Sequence, residues 1–253
     1  TTPEQESERA LHHLERVIQA QGADSIAAFL FETVPGTAGI LTPPPGFLKG
    51  VRALADKYGI VLILDEVMAG FGRTGEWFAF DAFDVVPDLV SFAKGVNSGY
   101  VPVGGVLIAD HIAKTFDERV FPGGLTYSGH PLAAASIVAA ISAMEDEGVI
   151  ENARSIGANV LGPGLRDLQA KHDVIGDIRG SGVFWALEFV TDREARTPVD
   201  AAWMGKLKTA LFAAGLVPFM ADNRLHVVPP CVITEDEARR GLAIIDKVLA
   251  DLK

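Results

Sequence analysis

Thiols are almost absent: the only cysteine among 253 residues, Cys231, excludes an internal disulfide and a thiolate zinc cage. Basic charge is scarce as well. Against 33 Asp and Glu stand 22 Lys and Arg, a net charge of −11, and no Lys or Arg cluster offers a footprint for a phosphate backbone. Neither nucleic acid nor an anionic membrane is therefore an expected partner. Long apolar runs are missing too. A stretch such as Ile60 to Leu64 is far short of the ~20 residues that cross a bilayer, and the first residues are polar where a signal core would be apolar. A soluble, cytoplasmic protein is the expectation. The six histidines follow no metal-ligand spacing, so no metal centre is expected. No internal repeat interrupts the chain. No initiator methionine precedes Thr1-Thr2-Pro3, which reads as the cut edge of a longer protein.

What is present is globular. A hydrophobic share of 49% supplies a full core, and because single cores stop growing near ~250 residues, one large and one smaller unit are expected. Thr2 as N-cap, Pro3 at N1 and Gln5 at N3 form a capping box, Leu11, Leu14, Val17 and Ile18 recur at helical spacing, and Gly22 closes this helix. Short apolar runs then alternate with amphipathic stretches, the pattern of an α/β fold with a mostly parallel sheet covered by helices. Strands are predicted over Ile26–Phe31, Ile60–Leu64, Leu89–Phe92 and Val103–Ile108, and helices over Phe47–Tyr58, Asp110–Phe116 and Pro131–Glu147. Beyond a boundary near Gly148 the texture becomes that of a smaller α+β domain, residues 149–253. It holds a long helix from Ile150 to Lys171, strands through Val183–Val190, Leu216–Phe219 and Leu225–Val228, and helices over Ala201–Ala214 and Glu235–Leu252.

Chemistry in such folds gathers at the carboxyl ends of parallel strands. The run Val61-Leu62-Ile63-Leu64 ends in Asp65-Glu66-Val67, so Asp65 is either a turn or cap residue or a site carboxylate. Leu89-Val90-Ser91-Phe92-Ala93 leads to Lys94-Gly95, a lysine either solvated in a loop or buried for a reason. The pair carries more than either member. A buried lysine loses affinity for its proton, so its neutral amine attacks a carbonyl, and an acid on a neighbouring strand holds a pyridine nitrogen protonated. A pyridoxal phosphate enzyme requires those two groups.

Leu64-Asp65-Glu66-Val67, Gly70-Phe71-Gly72-Arg73-Thr74-Gly75, Pro87-Asp88 and Phe92-Ala93-Lys94-Gly95 follow one another in a way that resembles the class III aminotransferases, fold-type I pyridoxal phosphate enzymes that include the ω-amino acid transaminases. The likeness continues through Gly123-Gly124-Leu125-Thr126-Tyr127-Ser128-Gly129-His130-Pro131 and Ile178-Arg179-Gly180-Ser181-Gly182 to the end of the chain. The resemblance implies pyridoxal 5'-phosphate (PLP) as cofactor, Lys94 as the lysine that binds it, and Asp65 as partner of its pyridine nitrogen. It implies that Val67, two positions on along an extended segment, packs on one ring face. By the same likeness Thr126 reaches the cofactor phosphate of a neighbouring subunit, so a homodimer with shared active sites is expected. Arg73 resembles a structural arginine of its loop, a surface salt bridge being the other reading. In relatives, the glycine and serine turn that cradles the phosphate and the aromatic on the other ring face come earlier than the part this chain resembles. Residues 1–148 are thus expected to be part of a large PLP-binding domain whose N-terminal portion is missing, with strand edges and apolar surface exposed.

Gly70 to Gly75 also spells G-x-G-x-x-G, but a dinucleotide fingerprint opens a helix, whereas Glu76-Trp77-Phe78-Ala79-Phe80-Asp81 has no helical stripe. Gly180-Ser181-Gly182 reads as a tight bend feeding a strand, and Met144 and Trp185 as core. Two departures bear on substrate. Members that use 2-oxoglutarate, such as the 4-aminobutyrate enzymes, carry a glutamate and a substrate-carboxylate arginine where this chain aligns Thr37 and His226. Arg224, two positions from His226 on the same strand face, either substitutes or marks an alignment slip. Ser98-Gly99-Tyr100-Val101-Pro102 resembles the pyruvate-using ω-amino acid and taurine:pyruvate aminotransferases. The resemblance therefore implies amino transfer from an ω-amino acid or amine to pyruvate or a similar keto acid. The alternatives are a 4-aminobutyrate/2-oxoglutarate-type transaminase, a class III aminomutase or decarboxylase, and an inactive fragment acting only in assembly.

Overall fold

The computed structural model describes residues 1–252, arranged as two units. The first takes in Thr1–Val34, Pro43–Phe71 and Phe78–Glu147; the second takes in Pro35–Thr42, Gly72–Trp77 and the chain from Gly148 onward. Two short excursions from the first half, at 35–42 and 72–77, thus belong with the second unit, so a single cut near Gly148 does not describe the division.

In the first unit, α1 (Pro3–Gln21) starts on its capping box: Thr2 Oγ1 accepts from Gln5 N at 3.3 Å, and Gln5 Oε1 accepts from Thr2 N at 3.0 Å. Its stripe of Leu11, Leu14 and Ile18 joins Leu48, Val51 and Ala55 of α2 (Phe47–Tyr58) in one core with Ile60, Leu62 and Leu64. The sheet runs in the order β1 (Ala28–Glu32), β2 (Val61–Asp65), β3 (Leu89–Phe92), β4 (Gly105–Ile108). The first three strands are parallel and β4 is antiparallel to β3. The helix expected over Asp110–Phe116 breaks into α3 (Asp110–Ala113) and a 3-10 turn over Lys114–Phe116. Pro131 opens α4 (Pro131–Asp146), where a missing N–H is no loss.

The second unit begins with α5 (Val149–Ile156) and α6 (Gly162–Lys171). The long helix expected here is interrupted by a π turn over Gly157–Leu161, in which Gly162 N donates to Gly157 O, directly before Pro163. β5 (Ile175–Ser181) and β6 (Phe184–Asp192) form a hairpin, and β7 (Thr197–Pro198) pairs with the far end of β6. After α7 (Ala201–Ala213), β8 (Phe219–Ala221) and β9 (Arg224–Val227) complete an antiparallel sheet of order β5-β6-β9-β8, and α8 (Glu235–Asp251) closes the fold. Leu165, Ile175, Leu187, Phe189, Leu207, Leu211 and Leu225 are its inner core.

Two strands of the second unit also differ from the sequence reading. The strand over Ile175–Ser181 was not foreseen, because Gly176, Asp177, Arg179 and Gly180 erase its apolar alternation. The strand placed at Leu216–Phe219 starts at Phe219 instead, since Leu216 N still donates to Leu211 O at the end of α7. The bend at Gly182 is where expected, at a left-handed φ of 54°, and a Cβ there would fall on the backbone of Thr74 and Gly75. Met144 and Trp185 are buried. Among the described residues no helix is long and apolar enough to cross a membrane, and no His, Cys, Asp or Glu group is arranged to hold a metal ion.

Candidate active site

Parallel pairing brings Asp65 and Lys94 to one sheet edge. Asp65 ends β2 opposite Ser91 of β3, and Lys94 begins a 3-10 turn (Lys94–Asn97) just past the end of β3. A carboxylate and an amine thus occupy the carboxyl ends of adjacent strands. Asp65 Oδ1 accepts from Val67 N at 2.8 Å, and Gly70 N closes the turn on Glu66 O at 2.9 Å. Val67 therefore opens a turn, not the extended segment expected, and strand alternation does not apply to it. Lys94 differs from expectation as well: it is exposed, and its φ of 42° lies in the left-handed region. For a residue with a side chain that conformation costs roughly 1–2 kcal/mol. Buried Asn97 braces the strained turn, its Nδ2 donating to Val101 O at 2.7 Å and to Ser136 Oγ of α4 at 2.9 Å, its Oδ1 accepting from Gly99 N at 3.2 Å. Ser91 Oγ, on the same sheet face as the Asp65 side chain, is buried and has no hydrogen-bond partner among the described residues. Thr126 lies in an exposed turn over 126–129.

The remaining expected residues belong to the second unit. Arg224 on β9 pairs across the sheet with Glu188, and its Nη2 meets Asp222 at 2.5 Å. Arg179 on β5 donates from Nε to Gly39 O at 2.8 Å and bridges Asp177 at 2.6 Å and Glu188 at 2.8 Å. A Cβ on Gly39 would come within 2.7 Å of Arg224 Cδ and 2.8 Å of Arg179 Nη2, so both guanidinium arms lie against the turn that carries exposed Thr37. His226 is buried, and burial, followed by the charges of Arg224 and Arg179, holds its imidazole pKa below the usual value. Arg224 Nε and His226 Nε2 are buried without hydrogen-bond partners among the described residues. Arg73 donates from Nη1 to Pro229 O at 2.5 Å while its carbonyl accepts from Val183 N at 2.9 Å; among the described residues it has no carboxylate partner. That geometry favours the structural reading of Arg73.

The model of the family described as "Aminotransferase class-III" matches residues 1–249. The chain belongs to the class III aminotransferases. Taurine–pyruvate aminotransferase of Bilophila wadsworthia is 34% identical over 253 residues, covering 95% of this chain and 55% of that protein. Putrescine–pyruvate aminotransferase of Pseudomonas aeruginosa is 35% identical over 242 residues, covering 95% and 53%. Among solved structures, taurine:2-oxoglutarate aminotransferase from Bifidobacterium kashiwanohense, in complex with PLP and glutamate, superposes with a TM-score of 0.94 at 40% identity, covering 98% of this chain and 56% of that one. The chain spans about half the length of the curated relatives it matches. Within this class III chain, the residue overlooked by the sequence reading is Glu66. It stands beside Asp65 but is fully buried, a signal carried only by tertiary structure.

Proposed function

We propose that the protein carrying this chain transfers an amino group from an ω-amino acid or amine to pyruvate or a similar keto acid, in the cytoplasm and with PLP as cofactor. In this reading residues 1–148, apart from 35–42 and 72–77, contribute to a large PLP-binding domain, and 149–253 with those two segments form a smaller one. The observation that carries it is the pairing of Asp65 and Lys94 at the ends of neighbouring parallel strands. The donor set fits the cofactor: an exposed primary amine for an aldehyde, a carboxylate for a pyridinium, and the unpartnered Ser91 hydroxyl on the same face as that carboxylate.

Bound PLP supplies an electron sink for charge that develops on the substrate carbon. Lys94 Nζ would hold the cofactor and, when free, would carry the proton taken from that carbon. Asp65, oriented by the Val67 N–H, keeps the pyridine nitrogen protonated. By the family likeness Val67, at the start of the turn, would cover one face of the ring. Thr126 would serve the phosphate of the opposite site in a homodimer; exposed apolar side chains near it in sequence, at Val120, Leu125, Tyr127, Leu132 and Val138, support an interface there. Thr37 and neutral His226 suit an acceptor with one carboxylate, because a second entering a partly desolvated pocket costs several kcal/mol without a cation to meet it. One observation favours a second reading, with 2-oxoglutarate as acceptor: Arg224 keeps a buried, unpartnered Nε.

Borohydride reduction in the presence of PLP tests the core of this reading. It should label Lys94, and Lys94→Ala should abolish both label and turnover. Asp65→Asn should retain the label but lose most of the rate. Labelling at any other lysine would overturn the assignment.

A further inference from the structure

Glu66 is fully shielded from solvent, and amino transfer as described leaves it idle. A buried carboxylate is stable only where donors meet it. Three do. Oε1 accepts from Thr33 Oγ1 at 2.5 Å and from Phe80 N at 3.2 Å, and Oε2 accepts from Ala79 N at 2.9 Å. Burial pushes the Glu66 pKa above the ordinary value, while the Thr33 hydroxyl and the two backbone N–H groups act against the rise. The donors come from the residue after β1 and from the start of the 3-10 turn Ala79–Phe83, so one side chain joins the end of β2 to two other segments. Backbone rungs bracket the same point: Thr33 N donates to Asp65 O at 3.3 Å, and Glu66 N donates to Ser91 O at 2.9 Å. Asp65 sits between those rungs, its side chain on the opposite face of the strand from that of Glu66.

We propose that Glu66 is a positioning residue, whose buried carboxyl locks the end of β2 so that Asp65 is presented to the cofactor ring in one orientation. The inference rests on the assignment of Asp65 to the pyridine nitrogen. Glu66→Gln conserves shape but leaves one acceptor oxygen for three donors and points an NH2 group at an N–H. The strand end should then loosen without loss of the fold.

The test is a PLP absorbance titration of wild type, Glu66→Gln, Asp65→Asn and the double variant, with thermal melts alongside. Glu66→Gln should weaken PLP binding by roughly 10-fold, the lower end of what is lost when a group that orients a metal-ligating side chain is removed. In the Asp65→Asn background the same change should cost nothing further, because its effect passes through Asp65. An equal loss in both backgrounds would make Glu66 merely structural and overturn the proposal. Thr33→Val removes one donor in a milder way and should show the same background dependence at smaller amplitude, which keeps the comparison decisive if Glu66→Gln fails to fold. Absence of PLP uptake by wild type would sink the functional reading itself, whereas normal uptake with additive losses sinks only the role of Glu66.

Discussion

Asp88 fixes the register on which the Asp65–Lys94 pairing depends, and its removal should be costly. Its Oδ2 accepts from Leu62 N of β2 at 2.7 Å and from Arg52 of α2 at 2.8 Å, and His111 Nε2 lies 3.2 Å from Oδ1. Its own N–H donates to Leu62 O at 2.9 Å, and its carbonyl accepts from Ala109 N at 2.9 Å. Asp88→Ala leaves the N–H of fully buried Leu62 without an acceptor, a cost of about 1–3 kcal/mol. Arg52 retains Asp56 at 2.7 Å, so the broken ion pair adds about 1 kcal/mol. A loss of about 2–4 kcal/mol follows. At about 4 °C per kcal/mol for a unit of this size, calorimetry at pH 7 should show the first unit melting roughly 8–16 °C lower. The pH dependence has a definite sign. Burial raises the Asp88 pKa, but the Leu62 N–H, Arg52 and His111 outweigh it and hold the carboxyl below its ordinary value. A depressed folded pKa contributes stability above the unfolded value near ~3.9 and loses it as pH falls through the folded one. The difference between wild type and Asp88→Asn should therefore shrink below pH ~4. An Asp88→Ala protein within ~0.5 kcal/mol of wild type, or a difference that grows on acidification, would refute this account.

The same substitution at two glycines should have opposite signs. Gly182→Ala meets the backbone of Thr74 and Gly75 at positive φ and should destabilise the second unit by roughly 3 kcal/mol or more, whereas Gly205→Ala, on the exposed side of α7 with open space around it, should stabilise by about 0.5–1 kcal/mol, both read by urea titration. On the acceptor, wild type should show the higher kcat/KM with pyruvate, and Arg224→Ala should leave that ranking unchanged. A wild type that prefers 2-oxoglutarate and loses the preference in Arg224→Ala would make Arg224 the ligand of a second carboxylate.

Sequence patterns exposed what punctuates a buried strand. β2 is an apolar run that ends in Asp65, and β3, apolar but for Ser91, leads to Lys94, so both residues and their shared sheet edge were legible. The state of Lys94 was not, because exposure and a left-handed φ depend on how the chain turns after the strand. Nothing in the sequence set Glu66 apart; only the approach of Thr33 and of the Ala79–Phe80 backbone reveals it as buried. The helix start with its capping box at Thr2 was readable, since that signal is local; the box at Thr234, ahead of the helix expected from Glu235, came only with the structure. β5 was not, and neither was the association of 72–77 with the second unit, where Gly182 backs directly onto Thr74 and Gly75.

The π turn at Gly157–Leu161 sets the rotational phase of everything after it. At about 100° per residue, Ala153, Ile156 and Val160 fall within roughly 40° of Val149, but a regular helix would carry Leu165 and Leu168 to roughly 160° and 100°. The extra residue of the wide turn sets the helix back by about one position, bringing them to roughly 60° and 0°. Both are buried with the others. The helix is therefore indifferent in phase to losing one residue from 157–161, since a straight α-helix then presents the same stripe. Pro163 is not indifferent: without the wide turn its ring would meet the carbonyl four residues back. Length here can vary by a single residue only in step with the identity of that proline.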